Sequence, residues 1–335
     1  MRSSSVTVVV PCRNGGAHVA AALESVFRQT RPPCAVHVID DGSADDSVHE
    51  IERAFAHAGD VRCTLTARGR RGLSETRNEL CAAASTDLIA FLDQDDLYAP
   101  TRLERLAAAA PDRGPYCGFS GLDFLVERHG DTLDAWRMDY GLRLAQAGCL
   151  PTAGFALLRS DVAVSGSNLV ISRDLFDIVG GFDPDIPCCA DWDFVVRALR
   201  VVEPTLVPAR LLTYRQHGAN LSIGFRDGPA ASELDRVMDS YLQWALEPSP
   251  NRRAPTPGNW PRYFRLFACA NATAAGWRLA DRMPPHALKA GPTEAPGERA
   301  AIRALLEAPT SIESVSGADL DDLLLRCARA WNPPA

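Results

Sequence analysis

The chain has 335 residues, 46% apolar and 23% charged, with a formal net charge of −7. That length buries a full core in one large domain or two modest ones. The acidic balance excludes a surface built for nucleic acid or anionic lipid. No window approaches 18 consecutive apolar residues, so no membrane-spanning helix is expected. Ten cysteines without a C-x-x-C pair point to free thiols in a reducing cytosol. Met1 to Ser5 carry no signal-peptide layout, so a soluble cytoplasmic protein is expected.

In chain order, Val6 to Val10 is a β-branched run ending at Pro11, read as a first buried strand. A turn, Cys12-Arg13-Asn14-Gly15-Gly16, leads to helical spacing over residues 17–28 through Val19, Leu23, Val26 and Phe27. Ala35 to Ile39 is a second strand, closed by Asp40-Asp41-Gly42-Ser43. Asp45 is expected to cap a helix with Val48, Ile51 and Phe55 on one face. Residues 61–66 make a third strand and residues 74–84 a helix opened by Gly72-Leu-Ser74. Leu88 to Leu92 is a fourth strand, apolar throughout as in a parallel sheet covered on both faces. These β-then-α units predict a mostly parallel, doubly wound sheet.

Past an Ala-rich helix near 103–110 the rhythm changes. Residues 117–127 and 132–138 read as antiparallel strands, and 166–171 as another. Short helices follow at 173–179 and 192–200, then brief strands at 206–208 and 211–215. From about residue 226 the pattern is helical: 232–246, a linker of five prolines over 247–261, then 262–282, 298–307 and 320–331.

Three carboxylates crowd the end of the fourth strand in Asp93-Gln94-Asp95-Asp96. Ligands of open α/β sheets bind at that end, and like charges so close favour a neutralising cation. Asp93 and Asp95 suit hard oxygen coordination of Mg2+ or Mn2+. Alternatively Asp95 and Asp96 cap the helix that starts near Pro100. Asp40 and Asp41 either accept from a ribose or base, or shape an Asx-turn. Arg77 faces a nucleotide or an acidic neighbour, or lies on the surface. In Asp191-Trp192-Asp193 one carboxylate is a general base or both are helix caps. Trp192 stacks on a sugar or packs in the core. His217 is a metal ligand, a phosphate donor or a structural histidine. No G-x-G-x-x-G and no P-loop motif is present.

Seven pieces in order resemble the family 2 glycosyltransferases of the GT-A fold, over roughly residues 5–225. They are Val6-Thr-Val-Val-Val-Pro11-Cys-Arg13-Asn, Ile39-Asp-Asp-Gly-Ser-Ala-Asp, Gly72-Leu-Ser-Glu-Thr-Arg77-Asn and Phe91-Leu-Asp93-Gln94-Asp95-Asp. The others are Gly166-Ser-Asn-Leu-Val-Ile-Ser-Arg with Gly180-Gly181-Phe182-Asp, Ala190-Asp191-Trp-Asp-Phe and Tyr214-Arg-Gln-His217.

The resemblance implies an α/β fold of GT-A type with a smaller antiparallel part and a helical C-terminal extension. It implies a glycosyltransferase domain over 1–225, with nucleotide-binding and acceptor-side halves meeting near residue 110, and a helical region over 226–335. Pro11, Arg13, Asp40, Asp41, Arg77, Asp93 and Gln94 then surround the nucleotide of a sugar donor, UDP first. Asp95 and His217 hold Mn2+ or Mg2+, Asp191 is the base of an inverting transfer, and Gly181, Phe182 and Trp192 border donor sugar and acceptor. The acceptor is a carbohydrate or a lipid-linked glycan.

Two departures stand out. Ala190 replaces the first carboxylate of the family's Glu-Asp pair, and the absence of Q-x-x-R-W favours single-sugar transfer over processive synthesis. Competing readings are a pyrophosphorylase-like nucleotidyltransferase and a degenerate nucleotide-sugar-binding protein. The helices after 226 leave open a cover for the acceptor, a homodimer contact or docking at the inner membrane face.

Overall fold

The computed structural model describes residues 4–16, 18–127 and 163–220 without a break, plus single helical positions between 133 and 157 and between 233 and 240. Residues 1–133 and 163–241 form one compact unit, and 134–162 with 242–335 belong to a second. The expected linker over 247–261 and the three helices beyond it lie outside the described residues. Glu233, Arg236, Val237 and Ser240 are helical, within the helix read at 232–246.

The first half alternates β1 (Val6–Cys12), α1 (Val19–Phe27), β2 (Ala35–Asp41), α2 (Ser47–Phe55), β3 (Arg62–Arg68), α3 (Leu73–Ala83) and β4 (Leu88–Phe91). Every residue of β1 and β4 is buried, which is why both read as unbroken apolar runs. On α1, Val19, Ala22, Leu23 and Val26 form the single stripe that faces the sheet. Val8, Val9, Val10, Val36, Leu23 and Ile89 are wholly shielded from solvent. Each such side chain contributes about 1.5–3 kcal/mol on burial.

The second half adds β5 (Leu97–Tyr98), α4 (Arg102–Ala109), β6 (Cys117–Val126), β7 (Val170–Ser172), α5 (Arg173–Val179), α6 (Ala190–Ala198) and β8 (Thr205–Gln216). The eight strands run in the order β3-β2-β1-β4-β7-β6-β8-β5. β1 pairs in parallel with β2 and β4, and β2 with β3. β7 is antiparallel to both β4 and β6, β5 is antiparallel to β8, and β6 and β8 are parallel. The carboxyl ends of β1, β2 and β4 therefore share one edge.

Three expectations are corrected. Residues 166–171 are not all strand: Gly166–Asn168 is a 3-10 turn before β7. Ser165 Oγ accepts the Ser167 N–H there, a local bond that outcompetes a ladder bond. The two brief strands at 206–215 are one, β8, with register shifts against Ser120, Gly121 and Leu122 where Pro208 cannot donate. Leu133, Asp134, Trp136 and Arg137 are helical where a strand was expected; Leu, Met and Arg in that stretch favour helix. Among the described residues, no helix is long and apolar enough to cross a membrane.

Candidate active site

The loops at the ends of β1 and β2 interlock through side chains that sequence patterns flagged. Gln94 pairs with the Arg13 backbone like a strand neighbour: its Oε1 accepts the Arg13 N–H at 2.6 Å and its amide donates to the Arg13 carbonyl at 3.0 Å. Asn14 donates its N–H to Ser43 Oγ at 2.8 Å, and its Oδ1 accepts the Ala44 N–H at 2.9 Å. Asp45 accepts from Gly16 and Ser47 backbone N–H, both at 3.1 Å, so it holds the start of α2 from one residue before the cap, Asp46. Pro11 lies inside β1, opposite Ile39.

Asp40 and Asp41 stand at the end of β2 with their oxygens already engaged. Asp40 accepts from the N–H and hydroxyl of Ser43, closing the turn on itself. Asp41 accepts from the Arg71 and Gly72 N–H groups, both at 2.8 Å, and is paired with the Arg68 guanidinium. Burial pushes the Asp41 carboxyl up, but those two amides and Arg68 together hold it below the ordinary carboxylate range. The turn-shaping reading of this motif is present in the structure, although Asp40 reaches three residues on and not the two of an Asx-turn. Both carboxylates shape the loops 40–43 and 68–72.

At the end of β4 each carboxylate has a different environment. Asp93 accepts from Arg77 Nη2 at 2.8 Å, while its own N–H donates to Ser167 Oγ at 2.8 Å. Arg77 is 2% exposed, lies 5.5 Å from the Phe182 ring, and its Nε finds no partner. Of the readings for Arg77, the surface one fails and the pairing with an acidic neighbour holds: it is the buried counter-ion of Asp93. Gly166 makes room for it, because a Cβ there would stand 2.5 Å from Arg77 Nη2.

Asp95 Oδ2 meets His217 Nε2 at 2.8 Å across 122 residues of sequence, and the Asp95 carbonyl accepts from Arg215 Nε at 2.8 Å. Burial and then Asp93 push the Asp95 carboxyl up, with His217 opposing. Asp96 is fully buried and accepts from the Arg215 N–H at 3.0 Å and the Ser165 hydroxyl at 3.2 Å. Burial first, then Asp95 and Asp93, push it well above the ordinary range. Asp96 is therefore a buried strut and not the cap of α4, whose N-cap residue is Thr101. Beside this cluster Val164 adopts φ 64°, a left-handed conformation costly for a β-branched residue, immediately before Ser165.

On α6 the two carboxylates have different partners. Asp193 binds Arg197 Nε at 2.9 Å, and Arg197 in turn donates to the Val179 and Gly181 carbonyls. Asp191 makes a local bond, accepting the Trp192 N–H at 2.8 Å. Its carboxyl is pushed above the ordinary range by burial, lowered by Arg77 and raised by Asp93. The Trp192 indole N–H is buried and has no partner among the described residues.

Phe182 departs from its expected place at the sugar. Its ring is 3% exposed, stacks on Phe194 at 4.7 Å and meets Phe91 edge-on at 5.5 Å, so it is core. Its backbone N–H and carbonyl are both taken by the Asn78 amide, at 2.7 and 2.8 Å. In the sequence Asn78 is placed near the strand ends with Arg77 but given no role of its own. Gly181 has φ 80°, and a Cβ on it would stand 2.6 Å from Asn78 Oδ1. Gly181→Ala is expected to lower stability by about 1–3 kcal/mol from the left-handed backbone and the displaced amide, read by thermal melting. An unchanged melting temperature would show that Asn78 does not pin this loop.

His18 also went unnoticed as an isolated histidine after a Gly-Gly turn. Its ring lies 5.2 Å from that of His217, and its Nε2 is 3.9 Å from Glu127. Burial and then Arg215 lower its pKa. No group of three or more His, Cys, Asp and Glu that could hold a metal occurs among the described residues. One carboxylate oxygen and one imidazole nitrogen at a strand end nonetheless fit a divalent cation whose other ligands are diphosphate oxygens, and the imidazole favours Mn2+ over Mg2+.

Two family models match this chain: "Glycosyl transferase family 2" over residues 7–166 and "Glycosyltransferase like family 2" over residues 147–232. An uncharacterized glycosyltransferase of Haemophilus influenzae is 23% identical over 243 residues, 71% of this chain and 77% of that protein. Uncharacterized glycosyltransferase RP339 of Rickettsia prowazekii is 25% identical over 244 residues, 71% of each chain. Among solved structures, S. aureus TarS 1-349 in complex with UDP is similar in fold, with TM-score 0.50, 14% identity and coverage of 98% of this chain and 91% of that one. The mannosyltransferase PcManGT from Pyrobaculum calidifontis, in complex with GDP-Man and Mn2+, has TM-score 0.51 and 18% identity over 100% of this chain and 89% of its own.

Proposed function

We infer the chemistry from one premise: the chain belongs to glycosyl transferase family 2 and is a glycosyltransferase of GT-A-type fold. The reaction we assign is inverting transfer of one sugar from a nucleotide sugar, UDP-linked, to a hydroxyl of a carbohydrate or lipid-linked acceptor. The observation that carries it is the end of β4, where Asp93 and Asp95 project side by side and His217 reaches Asp95 at 2.8 Å from the far end of the unit. Like charges of this kind persist where a ligand or cation is bound.

Asp95 and His217 are the residues that would hold a divalent metal, Mn2+ before Mg2+. Bound there, the ion supplies Lewis-acid neutralisation of charge on the departing diphosphate. The pinned loops 13–16, 40–43 and 68–72 form the nucleotide floor, with Asp40 and Asp41 acting through the backbone they hold. Asp93, paired through Oδ1 with Arg77, offers Oδ2 to a ribose hydroxyl. Asp191 accepts the acceptor's proton as the hydroxyl attacks C1 from the face opposite the diphosphate, which inverts the anomeric centre. Its carboxyl, raised by burial above the ordinary range, is a stronger proton acceptor than a free carboxylate. The unpartnered Trp192 N–H, next to it, is a donor for a sugar oxygen. Cys12, Cys34, Cys63, Cys81, Cys117, Cys188 and Cys189 are free thiols, which supports a cytoplasmic setting.

The test is nucleotide release from a panel of donors with and without Mn2+. The wild type is expected to need the metal and to prefer a UDP-sugar. Asp95→Ala is expected to abolish the Mn2+ dependence of UDP binding, measured by calorimetry across a metal titration. Binding that still rises with Mn2+ as in the wild type would remove Asp95 from the metal.

A further inference from the structure

Asp191 is the second residue of α6, so its position depends on how the chain enters that helix. The entry turn has no cap of its own: the N-cap Cys189 makes no side-chain cap bond, and Ala190 has no polar group. What holds it comes from 44 residues further on. Glu233 Oε2 accepts the N–H of Cys188 at 2.9 Å and of Cys189 at 3.0 Å. The carboxylate is 8% exposed and lies at the positive end of the helix dipole. Burial and then Glu233 push the Cys188 thiol up, as expected of a charge seated against that turn.

Glu233 does not act alone. Arg236 donates to the Asp185 carbonyl, Arg200 donates to Ser240 Oγ at 2.9 Å, and Val237 is 2% exposed. Positions 233, 236, 237 and 240 are one stripe of a helix, at spacings of three, four and seven. That stripe lies along the loop 183–189 and the end of α6.

We propose that Glu233 is a positioning residue for the transfer, fixing Asp191 by clamping the Cys188–Cys189 turn, with Arg236 and Ser240 fastening the same helix to the loop and helix on either side. The proposal rests on Asp191 being the base. A base displaced by about 1 Å loses on the order of 10²-fold in rate. Gln keeps an oxygen for both amides, whereas Ala leaves them without that acceptor.

The experiment compares the full-length Glu233→Ala, Glu233→Gln, Asp191→Asn and double Asp191→Asn/Glu233→Ala variants by turnover and by calorimetric affinity for UDP with Mn2+. Glu233→Ala is expected to lower kcat about 10- to 100-fold with UDP affinity unchanged, and Glu233→Gln to restore most of the rate. In the Asp191→Asn background the loss from Glu233→Ala is expected to vanish. Wild-type turnover in Glu233→Ala, equal losses in kcat and UDP affinity, or the same loss in both backgrounds would each overturn the proposal. Failure of the base assignment appears separately, as wild-type turnover in Asp191→Asn with Glu233 intact. Should Glu233→Ala not fold, amide exchange in the wild type decides: Cys188 and Cys189 are expected to be protected, and free exchange at both overturns the clamp.

Discussion

Asp191→Asn is expected to lower kcat by about 10³-fold while leaving nucleotide-sugar binding within about twofold, the range for losing a positioned general base. Asparagine keeps the size and can still accept the Trp192 N–H that Asp191 accepts at 2.8 Å, so the helix start survives and only proton acceptance is lost. The pH profile adds a signed test. Burial and Asp93 raise the Asp191 carboxyl while Arg77 lowers it, with a net rise. Below that raised pKa the base is protonated and idle, so kcat/KM should fall as pH drops, on a limb displaced upward from the 3.8 of a free carboxyl. The same shift makes ionised Asp191 slightly destabilising, so stability from this group declines as pH rises through its pKa. Arg77→Met would remove the opposing cation and move the acid limb higher still. A limb at the ordinary carboxylate value in the wild type would count against Asp191 as the base.

The second large effect is on stability. Arg102 is fully buried at the start of α4 and donates to Ser120 Oγ at 2.6 Å, Asn168 Oδ1 at 3.2 Å, and the Ser167 and Asn168 carbonyls at 3.1 and 2.8 Å. Its guanidinium also lies 4.8 Å from the Tyr98 ring centroid. Arg102→Met fills similar volume but removes the donor from two buried carbonyls, at about 1–3 kcal/mol each. A loss of about 3–5 kcal/mol overall, or on the order of 10 °C in Tm for a unit of this size, is expected. The 3-10 turn that Arg102 holds carries Ser167, which accepts the Asp93 N–H, so nucleotide affinity should weaken at temperatures where the protein is still folded. A melting temperature within a degree or two of wild type would show that the turn holds itself.

The β-then-α half was legible because its signals are local. Valine runs, Gly-Asp turns and apolar stripes are complete within a dozen residues, and the structure follows them from β1 to β4. The edge where Asp40, Asp41, Asp93 and Asp95 gather was readable for the same reason, since parallel strands put their carboxyl ends together. What was not readable is which oxygens remain free. Asp41 is occupied by amides of Arg71 and Gly72, thirty residues away, and nothing in Asp40-Asp41-Gly42 announces that. Phe182 follows the same rule: its core position depends on Phe91 and Phe194 arriving from two other elements. Asn78 and Glu233 act by side chain on distant backbone, a pattern with no periodicity. β8 was read as two pieces because Pro208 looks like a break, whereas a register shift accommodates it.

The sheet order also decides when, during synthesis, the acidic end of β4 is finished. The strands β1 to β4 lie within the first 91 residues and can pair as soon as they leave the ribosome. The segments around β7 and β8 that carry the Ser165 hydroxyl, the Arg215 amide and His217 follow only after residue 163. Until then the carboxylates of Asp95 and Asp96 lack those partners. Arrival of β8 brings the Arg215 N–H to Asp96 and His217 to Asp95, and leaves Asp96 fully buried. The loops that end β1, β2 and β4 are thus complete in sequence long before the segments that close around Asp95 and Asp96.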